Sequence, residues 1–185
     1  MTEEELKNFR RRADAKLRYA RIHLDELRAP PATNREDFDC AHKEAFLYHL
    51  VSAKEAFVGE LNVYYQCGLP ADGMSLGNMH EALKRKDRTS PEEAELYKLE
   101  KDDTSWLSVA KEMRDYSTHV AAVARNFYIR VGVESWESLR NPKTDQEIPG
   151  HFLDVFAGWL NKMESLLERL RKSAIATNRS GLGLP

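Results

Sequence analysis

Four long segments of this 185-residue chain step their apolar residues by threes and fours, and no stretch alternates as a strand does over more than a few residues. The first, over 3–28, carries Leu6, Phe9, Ala13, Leu17, Ala20, Leu24 and Leu27 on one stripe. Thr2 and Glu5 have capping-box spacing before it, and Ala29-Pro30-Pro31 stops it. The second, over 36–66, aligns Phe46, Leu50, Ala53, Phe57, Leu61 and Tyr64 and ends at Gly68 and Pro70. The third, over 105–131, aligns Trp106, Val109, Ala110, Met113, Tyr116, Val120, Ala124, Phe127 and Val131, with Gly132 as the stop. The last starts near Gly150 and carries Phe152, Phe156, Trp159, Met163, Leu167 and Leu170.

Between the second and third segments the spacing predicts short helices over 75–85 and 91–101, the latter opened by Ser90-Pro91-Glu92-Glu93. Residues 133–149 read as a connection with a turn of helix around Trp136. Helices with one apolar face each bury it most economically in a shared core. The expected fold is therefore all-α: an antiparallel bundle of four long helices with one or two short helices inserted between the second and third. Residues 1–175 would form a single domain and 176–185 a flexible C-terminal tail.

Charge narrows the function classes. Lys and Arg number 28 and Asp and Glu 30, a net charge of −2, which argues against a large basic surface but leaves room for a local phosphate-gripping pocket. No DNA partner is expected. Cys40 and Cys67 lie about 40 Å apart on one predicted helix, too far for a disulfide and too few for a zinc site. With no signal-peptide pattern and no long apolar run, a cytoplasmic protein with no membrane span is expected. No phosphate-binding loop, dinucleotide fingerprint or nucleophile elbow occurs, and no cofactor is expected.

Two sets of polar residues sit where a bundle should be greasy. In the second segment His42, His49 and Glu60 fall within about 40–60° of the stripe centre, at roughly 100° per residue. They are either core groups satisfied by neighbouring helices or the lining of a pocket around His49. In the third, Arg114 and His119 flank the Met113 stripe, Tyr116 lies on it, and Asp115 is spaced to orient His119. Arginine can hold phosphate oxygens while histidine moves a proton near neutral pH, chemistry that needs no metal. The bland alternative is a solvated face. No Glu-x-x-His or His-x-x-x-His occurs, and a mixed metal site of His49, Asp115 and His119 is a further alternative; no metal site is assigned.

Arg114 and Asp115, with His119 after four intervening residues, resemble the signature of the HEPN superfamily: an arginine, a polar residue directly after it, and a histidine further along a late bundle helix. The long-helix order is similar to that superfamily over most of the chain. Ala15-Lys16-Leu17-Arg18-Tyr19-Ala20-Arg21 and Glu44-Ala45-Phe46-Leu47-Tyr48-His49-Leu50 also look like segments of small uncharacterised bacterial helical proteins. The superfamily resemblance implies a homodimer whose motif helices face each other. In catalytic members it implies RNA cleavage without metal, with Arg114 as phosphate clamp and His119 as acid/base group. Asp115 replaces a common asparagine, and its charge would weaken phosphate binding. Many members are non-catalytic. The expected function is a non-catalytic binding or scaffold homodimer with an RNA or protein partner, the alternatives being a toxin-type endoribonuclease and a metal-binding bundle.

Overall fold

Thr2 and Glu5 start α1 (Glu3–Arg28) as a reciprocal cap: the Thr2 hydroxyl accepts from the Glu5 amide at 3.2 Å, and the Glu5 carboxylate accepts from the Thr2 amide at 2.6 Å. The stripe Ala13, Leu17, Ala20, Leu24 and Leu27 is buried, mainly against α2 (Arg35–Tyr64). A computed structural model describes residues 2–29, 35–119, 123, 125–128 and 136–178.

α2 departs from the expected pattern. Phe46, Leu50, Phe57 and Leu61 are buried, but so are Leu47, Val51 and Val58 on the other sides. From Leu50 to Tyr65 no residue is exposed, and the solvent contact of this region is at Tyr48. It is the axis of the molecule, touched by α1, α3 (Leu76–Arg85), α4 (Pro91–Lys101), α5 (Trp106–His119) and α6 (Phe152–Asn178). Gly59 permits the tightest approach: a Cβ there would run into the Phe9 ring of α1.

Three charged residues of α2, Lys43, Lys54 and Glu60, are buried with partners. Lys43 Nζ meets Glu137 Oε1 at 2.6 Å, and Lys54 Nζ meets Glu100 Oε2 at 2.8 Å. Glu60, 0% exposed, takes the guanidinium of Arg171 at 2.6–3.2 Å, and Asp14 accepts from the same arginine at 2.7 Å. Burial raises the Glu60 pKa, and the hydrogen bonds and charge of Arg171 oppose that rise.

The short helices form as their sequence signals predict. Ser75 and Ser90 cap α3 and α4, each hydroxyl accepting an amide at 3.1 Å. A single 3-10 turn, Ala71–Gly73, precedes α3.

The fold is mostly helical, as expected, but it is not a clean bundle of four long helices: among the described residues there are six helices and a small sheet, and the third long helix is shorter than the periodicity predicts. α5 is described as far as His119 and does not reach residue 131, because an antiparallel sheet of β1 (Arg125–Tyr128), β2 (Trp136–Arg140) and β3 (Glu147–Ile148) follows, in the order β1-β2-β3. Tyr128 pairs with Trp136 and Leu139 with Ile148. Phe127 therefore belongs to a strand, and the expected turn of helix at Trp136 is a strand too. Val120, Ala124, Val131 and Gly132 lie outside the described residues.

Local chemistry accounts for the change. The Ser117 and Thr118 hydroxyls donate to the Arg114 carbonyl at 3.0 and 2.8 Å, a bond that loosens helix ends. Beyond them Phe127-Tyr128-Ile129, Val131 and Val133 are strand formers. The sheet is fastened by the buried Lys43–Glu137 pair and by Lys143, which reaches Asp103 at 2.7 Å and Glu112 at 3.2 Å.

α6 closes the core with Phe156, Trp159, Met163, Leu167 and Leu170, and the Phe156 ring stacks on Phe46 at 4.3 Å. It continues to Asn178, so residues 176–178 are helix rather than tail, and 179–185 lie outside the described residues.

Arg171→Met strands the Glu60 carboxylate in the core and should cost about 3–5 kcal/mol in urea unfolding, whereas Glu60→Met with Arg171→Met should cost clearly less. Equal losses would show that the pair is not coupled.

Candidate functional site

Arg114 leaves the helix surface toward α2. Its Nη1 donates to Glu55 Oε1 at 2.8 Å, its Nε to Asp115 Oδ1 at 2.8 Å, and its Nη2 lies 2.7 Å from the same oxygen. The side chain is 18% exposed. Burial works to lower its pKa, but Glu55 and Asp115 outweigh that and hold it above its ordinary value.

Among the described residues the hydrogen bonds of Asp115 go to Arg114 and, at 3.4 Å, to Lys111, with none to His119. His119 is exposed and is the last described residue of α5. It borders a cleft of ≈ 330 Å³ with Glu112, Asp115, Tyr116, Pro142 and Lys143. The cation of that cleft, Lys143, is already paired with Asp103 and Glu112. The motif helix thus holds its arginine and histidine in different surroundings: one is locked between carboxylates and the other is open to water.

The second set divides. His42 and His49 face α1, while Glu60 lies further along α2 on Arg171. The histidines join residues the sequence reading did not select. His23 Nδ1 lies 3.1 Å from His42 Nδ1, and the His23 and His49 rings stack at 5.4 Å with 8° between planes. Lys16 Nζ is 3.4 Å from His49 Nδ1. An ammonium only donates, so this nitrogen accepts and the proton of neutral His49 sits on Nε2.

Tyr19 and Tyr48 each meet His49 edge-on at 5.2 Å, and Phe38 covers His42 at 4.2 Å. Burial first, then Lys16 and His23, push the His49 pKa down to about 4; burial and His42 lower that of His23. At neutral pH both imidazoles are uncharged parts of an aromatic cluster. The sequence signal for their partners was present on α1, where Tyr19, Ile22 and His23 lie off the buried stripe.

Among the described residues no three His, Cys, Asp or Glu side chains come together as a metal site. His49, Asp115 and His119 are not assembled, and the metal-binding bundle is set aside. A larger groove of ≈ 510 Å³ runs between α4 and α6 past Trp106 and Leu166, and the Arg169–Glu95 pair on its rim is closed on itself. Among the described residues no helix is long and apolar enough to cross a membrane.

Fold and site together define a mainly helical protein built around a buried central helix, with a small sheet beside the motif helix. The chain belongs to a family of unknown function, DUF6586, whose model matches residues 7–177. No curated protein and no solved structure matches it.

The depressed His49 pKa fixes a pH dependence. Between about 4 and the ordinary value of 6.5 the unfolded chain binds more protons than the folded one. Stability is therefore full above that range and falls as the pH drops through it. Thermal melts of His49→Gln should show a shallower loss from pH 7 to pH 4.5 than the native chain, and parallel curves would contradict the assignment.

Proposed function

We propose that the protein is a non-catalytic binding or scaffold homodimer of HEPN-like layout. The observation that carries this reading is the state of Arg114. A phosphate clamp must offer its guanidinium to an incoming anion. Here two donors face Asp115 and a third faces Glu55, so a phosphate would have to displace two carboxylates and approach their charge. The surroundings of His119 add to this, because the cleft beside it contains Glu112 and Asp115 and its lysine is neutralised.

The HEPN-like element rests on Arg114, Asp115 and His119 sharing one late helix. In this reading the Glu55–Arg114–Asp115 cluster is structural: it ties α5 to α2 and supports surfaces that engage RNA or protein. The groove at Trp106 and the aromatic cluster at His49 are the surfaces available for such contacts.

Purified protein incubated with single-stranded and structured RNA in EDTA should give no cleavage above the His119→Ala variant. Cleavage abolished by His119→Ala and by Arg114→Ala would instead establish the toxin-type endoribonuclease.

A further inference from the structure

α1 carries a second stripe that the core does not use. Arg12, Ala15, Tyr19, Ile22 and Glu26 step by three and four, the spacing of a helix–helix seam, and lie about 140° around the helix from the buried stripe. Tyr19 is 46% and Ile22 53% exposed, and Tyr48 of α2, 51% exposed, lies beside them across His49. Among the described residues these three are the exposed large hydrophobic side chains, and all fall on this one face. A concentrated apolar patch on an otherwise charged surface marks a contact site.

The charges around the patch indicate what covers it. Arg11 and Arg12 lie on one side of Tyr19 along the helix, Asp25 and Glu26 on the other, each pair about 10 Å from it. Arg11, Arg12, Arg18 and Glu26 are exposed and form no ion pair among the described residues; Asp25 has only the exposed Arg28, at 3.3 Å. This arrangement is its own complement. A second α1 laid antiparallel, with a two-fold axis near Arg18 and Tyr19, sets each basic end against an acidic end, brings the two Tyr19 side chains together at the axis and places Ile22 over Ala15 of the second copy.

We infer that the Tyr19–Ile22–Tyr48 face binds a second copy of this chain through an antiparallel α1–α1 seam. The inference rests on the homodimer reading above and replaces its facing motif helices with a different contact. Arg18 then lies against Tyr19 of the second copy, where its stem and guanidinium cover the ring.

Sedimentation velocity of the full chain over a concentration series at pH 7.5 tests this. The native protein should have the mass of two chains, with affinity falling as salt rises. Ile22→Glu should weaken it at least tenfold. Arg11→Glu with Arg12→Glu should be monomeric, as should Asp25→Arg with Glu26→Arg, since each presents like charge at both ends of the seam. Mixing the two should restore a dimer containing one of each. All these positions are exposed, so unchanged melting of the variants separates lost association from lost folding.

A native monomer at every concentration, or a dimer indifferent to Ile22→Glu and to both charge reversals, would overturn the seam. The second outcome leaves the homodimer reading standing, the first removes both, and the RNA-cleavage result is independent of either.

Discussion

α2 carries charge into the centre of the protein, and those charges fix its neighbours. Lys43 calls for Glu137 of the sheet, Lys54 for Glu100 of α4, Glu55 for Arg114 of α5, and Glu60 for Arg171 of α6. Apolar packing alone tolerates exchange of side chains of similar volume and so specifies neighbours less sharply than a charge does. A buried ion loses its hydration wherever it goes and recovers the loss only where its counter-ion sits. The three buried charges therefore work as register pins for the sheet, α4 and α6, and the half-exposed Glu55 adds a contact to α5. Arg114 contributes in the same direction: its contacts to Glu55 and Asp115 join α5 to α2.

Much of the fold is legible where the signal is local. The Thr2–Glu5 cap, Ser75, Ser90-Pro91 and the α6 stripe announce their elements because the physics that forms them spans a few residues. α2 is legible as a helix but not as the central one. Glu60 reads as a polar group beside the core stripe, but its partner Arg171 lies 111 residues away, and the partners of Lys54 and Glu55, Glu100 and Arg114, lie 46 and 59 residues away. The overlong third helix is a coincidence of spacing: Met113, Val120, Ala124 and Phe127 keep a helical step although Phe127 lies in a strand. A short strand whose partners arrive later leaves little periodicity to detect.

The candidate site was readable to a similar depth. Arg114, Asp115, Tyr116 and His119 do share α5, as their spacing requires. That Glu55 would take Arg114 depends on how two helices cross, which neither helix encodes alone. His42 and His49 were identified as polar residues near a core face, and they do have neighbours. His23, Lys16 and Tyr19 come from another helix, whereas Glu60 belongs to a different contact.

The Glu60–Arg171 contact joins residues 111 apart, and one of them is in the final helix. On a ribosome, α2 emerges long before its counter-ion is synthesised. Until then the segment holds a carboxylate that cannot enter a dry interior without its cation. The chain cannot complete its interior from the leading end. α1 and α2 can pair early, but the assembly stays provisional, with its middle still hydrated, until the last 27-residue helix docks and expels the water.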